Sequence, residues 1–360
     1  MKFLSTKTRS LGTLAKAAYT LALFSLIFVF EAGAASTVFE SSAISIKNGD
    51  GHIERAIYTE IGKARTETGR VRRSAPTVVL LNGLIYDINR WNSTAETLVA
   101  EGVHVIRLSF TAQPESLRLL PKDVTPRFLK EGLTLESMAD DVERVLKHHR
   151  IQGPVTIVGL SYGGTVATAF AKLHPKRVKE LVLLSPLVVP LDSYDPSGKL
   201  LRQSLDTVRF WENAPCLAYG WFNPWLCTST DYWYDSFYNQ FYESYLNTRI
   251  SSTPPDLDQG LFKKSVFHLV RAARDYDLRK EVANLKNVHF VVSEKEEANL
   301  KRDQLKAWSM IPQKQRRSLA EFHGVVHALP DEAPTRTADW IWAIANGDES
   351  LQSGDEFIVK

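Results

Sequence analysis

The sequence predicts an α/β protein built on a mostly parallel sheet with helices on both faces. Short, fully apolar runs alternate with stretches of helical periodicity on either side of a long central segment. Such runs are typical of buried parallel strands, and their alternation with helices is typical of a sheet covered on both faces. The chain has 360 residues, of which 44% are hydrophobic and 24% charged. This composition excludes collagen-like, disordered and disulfide-scaffold proteins.

The elements follow in chain order. Two loosely alternating β-like stretches, 37–46 and 52–61, precede a basic loop over 63–73. Buried strands are predicted at 77–81, 103–110, 154–159, 180–184, 288–292 and 318–322. Helices are predicted at 88–101, 134–149, 162–173, 301–310 and 331–346. Residues 112–132 contain three prolines and are expected to form an irregular connection.

The alternation of strands and helices stops over residues 187–286, which predicts a mainly helical cap inserted into the α/β core. The core then comprises residues 35–186 and 287–347. Residues 348–360 are expected to be a flexible tail, because chain ends fray unless they dock.

Residues 1–34 have the pattern of a signal peptide. An uncharged run over 17–30 follows four basic residues and precedes a small-residue stretch, so cleavage is expected after Ala34 or Ala35. The protein is therefore expected in the periplasm or outside the cell. The alternative is an uncleaved membrane anchor, although the run is short for a span.

The formal net charge of +3 belongs to this leader. Without it, the chain has 40 basic and 40 acidic residues, so no nucleic-acid partner is indicated.

Only two cysteines occur, Cys216 and Cys227. In an oxidising compartment this close pair is expected to form one disulfide, the alternative being two buried thiols. Neither a metal nor an organic cofactor is indicated by any motif.

The clearest chemical motif is Gly159-Leu-Ser161-Tyr-Gly163-Gly164, a G-x-S-x-G pattern between a predicted strand and a helix. A tight turn in this position raises the serine Oγ above the sheet, and flanking glycines avoid clashes with the neighbouring strand and helix. We therefore predict Ser161 as a nucleophile.

A serine nucleophile requires a base. His327 is predicted for this role, because it lies on a loop after the last core strand and before a helix. His323, at the end of that strand, is the second candidate.

The acid that orients the histidine is expected after the strand at 288–292. Three glutamates crowd that loop, and Glu296 is the first choice, Glu297 the second and Glu294 the third. Asp192 is a further alternative.

The oxyanion of an acyl-transfer intermediate requires two N–H donors. The backbone N–H of Tyr162, directly after the serine, and that of Leu84, after the strand at 77–81, are predicted to supply them.

These motifs resemble the α/β-hydrolase fold family, in its serine-hydrolase (esterase- or lipase-like) branch with a helical cap. The resemblance covers 77–187 and 288–345 and rests on the segments 81–84, 159–164 and 293–296 and on His327. In that family the acid loop usually reads Gly-x-x-Asp and the oxyanion loop His-Gly, where this chain has Ser293 to Glu296 and Asn82-Gly83. Relatives that are dehalogenases or epoxide hydrolases have aspartate at the position of Ser161. The resemblance therefore implies acyl transfer.

The cap segment indicates the substrate class. Fourteen of the 37 aromatic residues lie between Phe210 and Tyr245, which suggests an apolar wall for an acyl or aromatic group, although most are expected to form the cap's own core. The leading expectation is an exported carboxylic-ester hydrolase that acts on small molecules without an obligate protein partner. The alternatives are other acyl chemistry (thioesterase, amidase, C–C hydrolase or acyltransferase) and a non-catalytic ligand-binding protein of this fold.

Overall fold

The architecture comes from a computed structural model, which describes residues 4–5, 39–190, 203, 205–208, 230–241, 256–352 and 354–360. The predicted signal peptide, apart from Leu4 and Ser5, lies outside the described residues, and so do Asp192, Cys216 and Cys227. Within the described part of the chain, no helix has the length and hydropathy of a membrane span.

The predicted fold class is confirmed: the described strands form one mostly parallel sheet. The strands are β1 Leu4–Ser5, β2 Glu40–Lys47, β3 Ile53–Gly62, β4 Thr77–Leu81, β5 His104–Ser109, β6 Val155–Leu160, β7 Val178–Leu184, β8 Val288–Ser293, β9 Arg316–Phe322 and β10 Asp355–Val359. Their order is β1-β10-β9-β8-β7-β6-β4-β5-β3-β2. Only the pairs β1/β10, β2/β3 and β3/β5 of this sheet are antiparallel.

The helices pack on both faces of the sheet. They are α1 Asn92–Ala100, α2 Pro114–Arg118, α3 Arg127–Glu131, α4 Leu135–His148, α5 Tyr162–Leu173, α6 Thr230–Phe241, α7 Gln259–Ala272, α8 Leu278–Glu281, α9 Ala298–Met310, α10 Leu329–Glu332 and α11 Pro334–Ala345. The predicted helix at 331–346 is in fact two helices, because Ala333, which precedes Pro334, has non-helical dihedral angles. The expected irregular connection at 112–132 contains the short helices α2 and α3.

The core has one apolar layer on each face of the sheet. Side chains of α4, α5 and α7, among them Val142 and Phe170, form the layer on one face. Side chains of α1 and α11, among them Leu98 and Trp340, form the other. The central strands are buried from end to end, as their continuous apolar runs predict.

The parallel register brings the carboxyl ends of the central strands together. Leu81 of β4 pairs with Gly159 of β6, which pairs in turn with Leu183 of β7. The loops after β4, β6, β8 and β9 therefore leave the sheet at one edge, where open α/β sheets bind ligands.

The expectation of a flexible tail over residues 348–360 is wrong. Asp355–Val359 forms β10, which pairs in parallel with β9. The side chains of Phe357 and Val359 are buried, and the Phe357 ring packs against Trp340 with centroids 5.5 Å apart. This apolar pair docks the segment, a contact across the chain that the local sequence does not reveal.

Candidate active site

The turn between β6 and α5 requires glycine at two positions. A Cβ atom on Gly159 would lie 2.4 Å from the carbonyl oxygen of Gly163, and one on Gly163 would lie 2.4 Å from that of Leu81. Both distances are far inside van der Waals contact with backbone atoms that cannot move aside. The first turn of α5 can therefore approach the end of β4 only because Gly163 has no side chain.

Ser161 lies at the apex of this turn with φ 51° and ψ −114°. A non-glycine residue held in such a sparsely populated region costs about 1–3 kcal/mol and is often found at active sites. Hydrogen bonds from the Ser161 N–H to Leu184 O (2.9 Å) and from the Gly164 N–H to Ser161 O (2.9 Å) hold the turn. The half-buried serine sits at the amino terminus of α5, where the helix dipole favours negative charge.

The structure pairs His327 with Glu296. Glu296 Oε2 lies 2.5 Å from His327 Nδ1, and the side chains are 1% and 14% exposed, respectively. The other carboxylate oxygen, Oε1, accepts a hydrogen bond from the Glu297 N–H (3.1 Å). Because Nδ1 faces the carboxylate, the histidine ring is oriented with Nε2 directed away from Glu296.

The remaining candidates lie elsewhere. His323 Nδ1 lies 3.4 Å from Glu294 Oε1, and its Nε2 lies 3.3 Å from Glu321 Oε1. Glu294 also accepts a hydrogen bond from the Gly324 N–H (2.7 Å). Glu297 has an exposed side chain just before α9. Of the three glutamates of this loop, Glu296 is thus paired with His327, Glu294 lies beside His323, and Glu297 is at the surface.

Glu332 holds the backbone of the histidine loop, a role that the sequence analysis missed. Its carboxylate accepts hydrogen bonds from the N–H groups of Val326 (2.6 Å), His327 (3.0 Å) and Ala328 (2.7 Å). Burial acts to raise the pKa of the Glu332 carboxyl, but these bonds outweigh it and the pKa is lowered. Glu332 is therefore ionised at neutral pH.

Asp331 connects the histidine loop to the segment that follows the oxyanion loop. Its Oδ2 accepts hydrogen bonds from the Tyr86 hydroxyl (2.5 Å) and from Arg90 Nη1 (2.7 Å). Burial, followed by the Asp331 carboxylate, raises the pKa of Tyr86, so the phenol stays protonated and donates. The loops after β4 and β9 are thereby joined.

Gln113 fixes the peptide groups of the predicted oxyanion loop. Its Nε2 donates to Gly83 O (2.7 Å) and Leu84 O (3.1 Å), and its Oε1 accepts from the Phe110 N–H (2.9 Å). The side chain is fully buried. In a trans peptide the Gly83 carbonyl and the Leu84 N–H point in opposite directions, so the Gln113 bond sets the direction of that N–H.

Neither predicted oxyanion donor has a hydrogen-bond acceptor among the described residues. The Leu84 N–H has no backbone acceptor among the described residues. Tyr162 is the first residue of α5, and an N–H at that position has no acceptor within its helix. At Gly163, α5 packs against the carbonyl oxygen of Asn82, which lies 2.6 Å from where a Cβ atom on Gly163 would be. The segment with the Tyr162 N–H and the segment with the Leu84 N–H are therefore in contact.

Asn82 stands where the resembled family usually has histidine. Its side chain is fully buried, and neither Oδ1 nor Nδ2 has a hydrogen-bond partner within the described part of the chain. An unsatisfied buried amide costs about 1–3 kcal/mol. The unpaired Asn82 amide thus lowers the folding stability in addition to the strained backbone of Ser161.

Helix α7, which belongs to the predicted cap segment, packs directly on the turn that carries Ser161. The Tyr162 hydroxyl donates to Leu269 O in the last turn of α7 (2.9 Å). On α6, Tyr234 and Phe237 pack edge-on against Phe267 of α7, with ring centroids 5.1 and 5.2 Å apart. These aromatic residues belong to the same apolar cluster as side chains of α4 and α5. Most of the other residues in the aromatic segment lie outside the described residues.

A Ser–His–Glu cluster also lies near the amino ends of the strands. His289 Nδ1 lies 2.7 Å from Ser318 Oγ, and its Nε2 lies 3.3 Å from Glu180 Oε2. All three side chains are buried, and burial lowers the pKa of His289. Ser318 is an ordinary strand residue without a raised turn, so this cluster stabilises the sheet. Within the described ranges, no group of three or more potential metal ligands occurs.

Comparison with known proteins identifies the fold. Residues 76–215 match the family model described as the α/β hydrolase fold. A thermophilic esterase from Thermogutta terrifontis superimposes with a TM-score of 0.55 at 18% identity, over 87% of this chain and 100% of that structure. The chain therefore has the α/β-hydrolase fold.

Curated relatives match shorter stretches of the chain than the esterase structure does. A 2-hydroxy-6-oxononadienedioate/2-hydroxy-6-oxononatrienedioate hydrolase from Paraburkholderia xenovorans is 33% identical over 151 residues, covering 40% of this chain and 44% of that protein. A cis-3-alkyl-4-alkyloxetan-2-one decarboxylase from Xanthomonas campestris is 35% identical over 74 residues, 21% of this chain and 24% of the relative. The chain thus spans less than half of either relative.

Proposed function

We propose that this chain, which has the α/β-hydrolase fold, is an exported serine hydrolase that cleaves a carboxylic ester through an acyl-enzyme intermediate. The observation that carries the proposal is the buried Glu296–His327 pair at the sheet edge where the strained Ser161 turn also lies. A nucleophile, a base and an acid that orients the base are the minimum for this chemistry.

The reaction proceeds in two steps. His327 Nε2 takes the Ser161 hydroxyl proton while Oγ bonds to the ester carbonyl carbon, and the tetrahedral intermediate carries its charge on the former carbonyl oxygen. Collapse expels the alcohol, which receives the proton from His327. Water, activated by the same histidine, then attacks the acyl-enzyme and releases the carboxylic acid.

Two carboxylates position His327 during this cycle. Glu296 accepts from Nδ1 and fixes the tautomer, so that Nε2 is free to act as the base. Glu332 acts through the loop backbone and is a positioning residue. The Tyr162 and Leu84 N–H groups would stabilise the oxyanion, and Gln113 would position the second of them.

Other acyl chemistry on the same residues is the second candidate. The relatives named above include a hydrolase and a decarboxylase, so the family likeness is compatible with more than one reaction. We favour hydrolysis over acyl transfer, because with water as the acyl acceptor no site for a second organic substrate is needed. A non-catalytic binding protein is disfavoured, because such a protein would have no need of a strained serine or an oriented histidine.

Reaction with a fluorophosphonate probe tests the assignment. We expect labelling of Ser161, a loss of rate on the order of 10³ in His327→Ala and Glu296→Gln, and no labelling in Ser161→Ala. The matched controls His323→Ala and Glu297→Gln should label at the wild-type rate. An unlabelled but folded wild-type protein, or a loss in Glu297→Gln in place of Glu296→Gln, would contradict the assignment.

The oxyanion role of Gln113 is tested by Gln113→Leu. Releasing the Gly83 carbonyl lets the Leu84 N–H turn away, so kcat should fall by about 10²–10³ with little change in KM. Gln315→Leu is the control, since it removes one amide-to-carbonyl bond (Gln315 Nε2 to Ala283 O, 3.2 Å) at the opposite end of the sheet. Equal losses in the two variants, at equal thermal stability, would refute the role.

We further propose that the acyl site is apolar, as the aromatic cap segment suggests. For p-nitrophenyl esters from acetate to decanoate, kcat/KM should rise by up to about fourfold per methylene until the site is filled. Rates that are independent of chain length would count against an apolar wall.

Export and the disulfide between Cys216 and Cys227 are proposed from the sequence alone. The intact mass of protein recovered from the periplasm or medium should correspond to cleavage after Ala34 or Ala35. Alkylation of that protein should modify the two cysteines only after reduction. A full-length mass would favour the membrane-anchor alternative, and alkylation without reduction would exclude the disulfide.

A further inference from the structure

A cleft of about 640 Å³ opens at the edge of the sheet opposite the candidate active site. It lies at the amino ends of β4 and β6, and Thr77 and Thr156 are among its lining residues. Thr156 and Ser161 lie at opposite ends of β6, roughly 17 Å apart at the rise of a β-strand. A ligand in this cleft therefore does not reach the proposed nucleophile.

The lining is strongly basic. It includes Lys63, Arg73, Arg150 and Lys179, with His104 and His149, and no acidic side chain is among the described lining residues. Three separate parts of the chain supply the four cations, among them the basic loop at 63–73, which the proposed function does not use. A concave surface lined by one sign of charge concentrates ions of the other sign.

Two of these cations have partners within the protein. Lys63 Nζ lies 2.6 Å from Glu40 Oε2, and Lys179 Nζ donates to the carbonyl oxygen of Ala345 (3.0 Å). The guanidinium groups of Arg73 and Arg150 have no carboxylate partner among the described residues. Arginine binds carboxylate and phosphate oxygens through two parallel N–H bonds, so these two are the groups available to an anion.

Neutral donors complete the lining. Thr156 is 1% exposed, and its Oγ1 has no hydrogen-bond partner within the described ranges. His149 Nε2 lies 3.1 Å from Thr59 Oγ1, and burial, aided by the neighbouring His148 and Lys63 charges, lowers the pKa of His149 to about 4. The net positive charge of the cleft thus comes from lysine and arginine and persists at neutral pH.

We propose that this cleft binds an anion that carries at least two phosphate groups or a phosphate with a short apolar part. Its volume lies within the range of small-molecule sites and exceeds that of a single phosphate. Ile61, Val71 and Ile151 line it beside the cations and provide contact for an apolar part. Free polyphosphates and the headgroups of anionic phospholipids share this chemistry. The proposal is independent of the proposed hydrolase activity.

Isothermal titration of the full chain with pyrophosphate tests the site, and sedimentation with vesicles of phosphatidylglycerol in phosphatidylcholine tests the lipid source. The double variant Arg73→Gln/Arg150→Gln should weaken binding about tenfold or more. The control Arg70→Gln/Arg144→Gln removes the same charge from the same loop and from helix α4, at exposed positions outside the cleft lining, and should bind as wild type.

Saturable pyrophosphate binding that only the cleft variant loses supports a soluble phosphate ligand. Vesicle binding that only the cleft variant loses, without pyrophosphate binding, supports a lipid headgroup. Absence of both, or equal losses in cleft and control variants, overturns the proposal, since binding would then be absent or due to overall charge.

Discussion

The close approach of helix α5 to the end of strand β4 is the constraint on which the candidate site depends. Gly163 lies so near the carbonyl groups of Leu81 and Asn82 that any side chain would collide with them. The same turn holds Ser161 at a positive φ and places the start of α5 beside the loop that follows β4. The proposed nucleophile and the two proposed oxyanion donors therefore lie on segments joined by one packing contact. Gly159 and Gly163 are required because a side chain there would clash with backbone atoms, and not because the turn must be flexible.

A network of carboxylates, of which only Glu296 is buried, holds the other half of the site. Glu296 orients the His327 ring, Glu332 binds the backbone of its loop, and Asp331 ties that loop to Tyr86 beyond the oxyanion loop. The Glu296 and Asp331 bonds join loops from different strands, whereas the Glu332 bonds brace the histidine loop itself. Such preorganisation is what an acyl-transfer site requires, because the donors must already point to the oxyanion when its charge develops.

The sequence predicts well what depends on local pattern. The strand β4 has the predicted bounds, and β6, β8 and β9 begin or end within two residues of theirs, because continuous apolar runs identify buried strands. The sequence alone could not show which glutamate of the loop after β8 contacts which histidine. Only the fold pairs Glu294 with His323 and Glu296 with His327. No local pattern identifies Gln113, which lies in a proline-rich connection and binds the carbonyl groups of Leu84 and Gly83, 29 and 30 residues away. The tail was misjudged because Phe357 meets Trp340 only in the folded protein.

The central claim is that Ser161 forms a covalent acyl-enzyme with His327 as its base. Acid quenching of the protein during turnover of a p-nitrophenyl ester, followed by peptide mass spectrometry, tests it most directly. We expect an acyl group on the peptide that contains Ser161, accumulating in wild type and absent from His327→Ala. Steady turnover with no acylated peptide, or an acyl group on any other residue, would contradict the account.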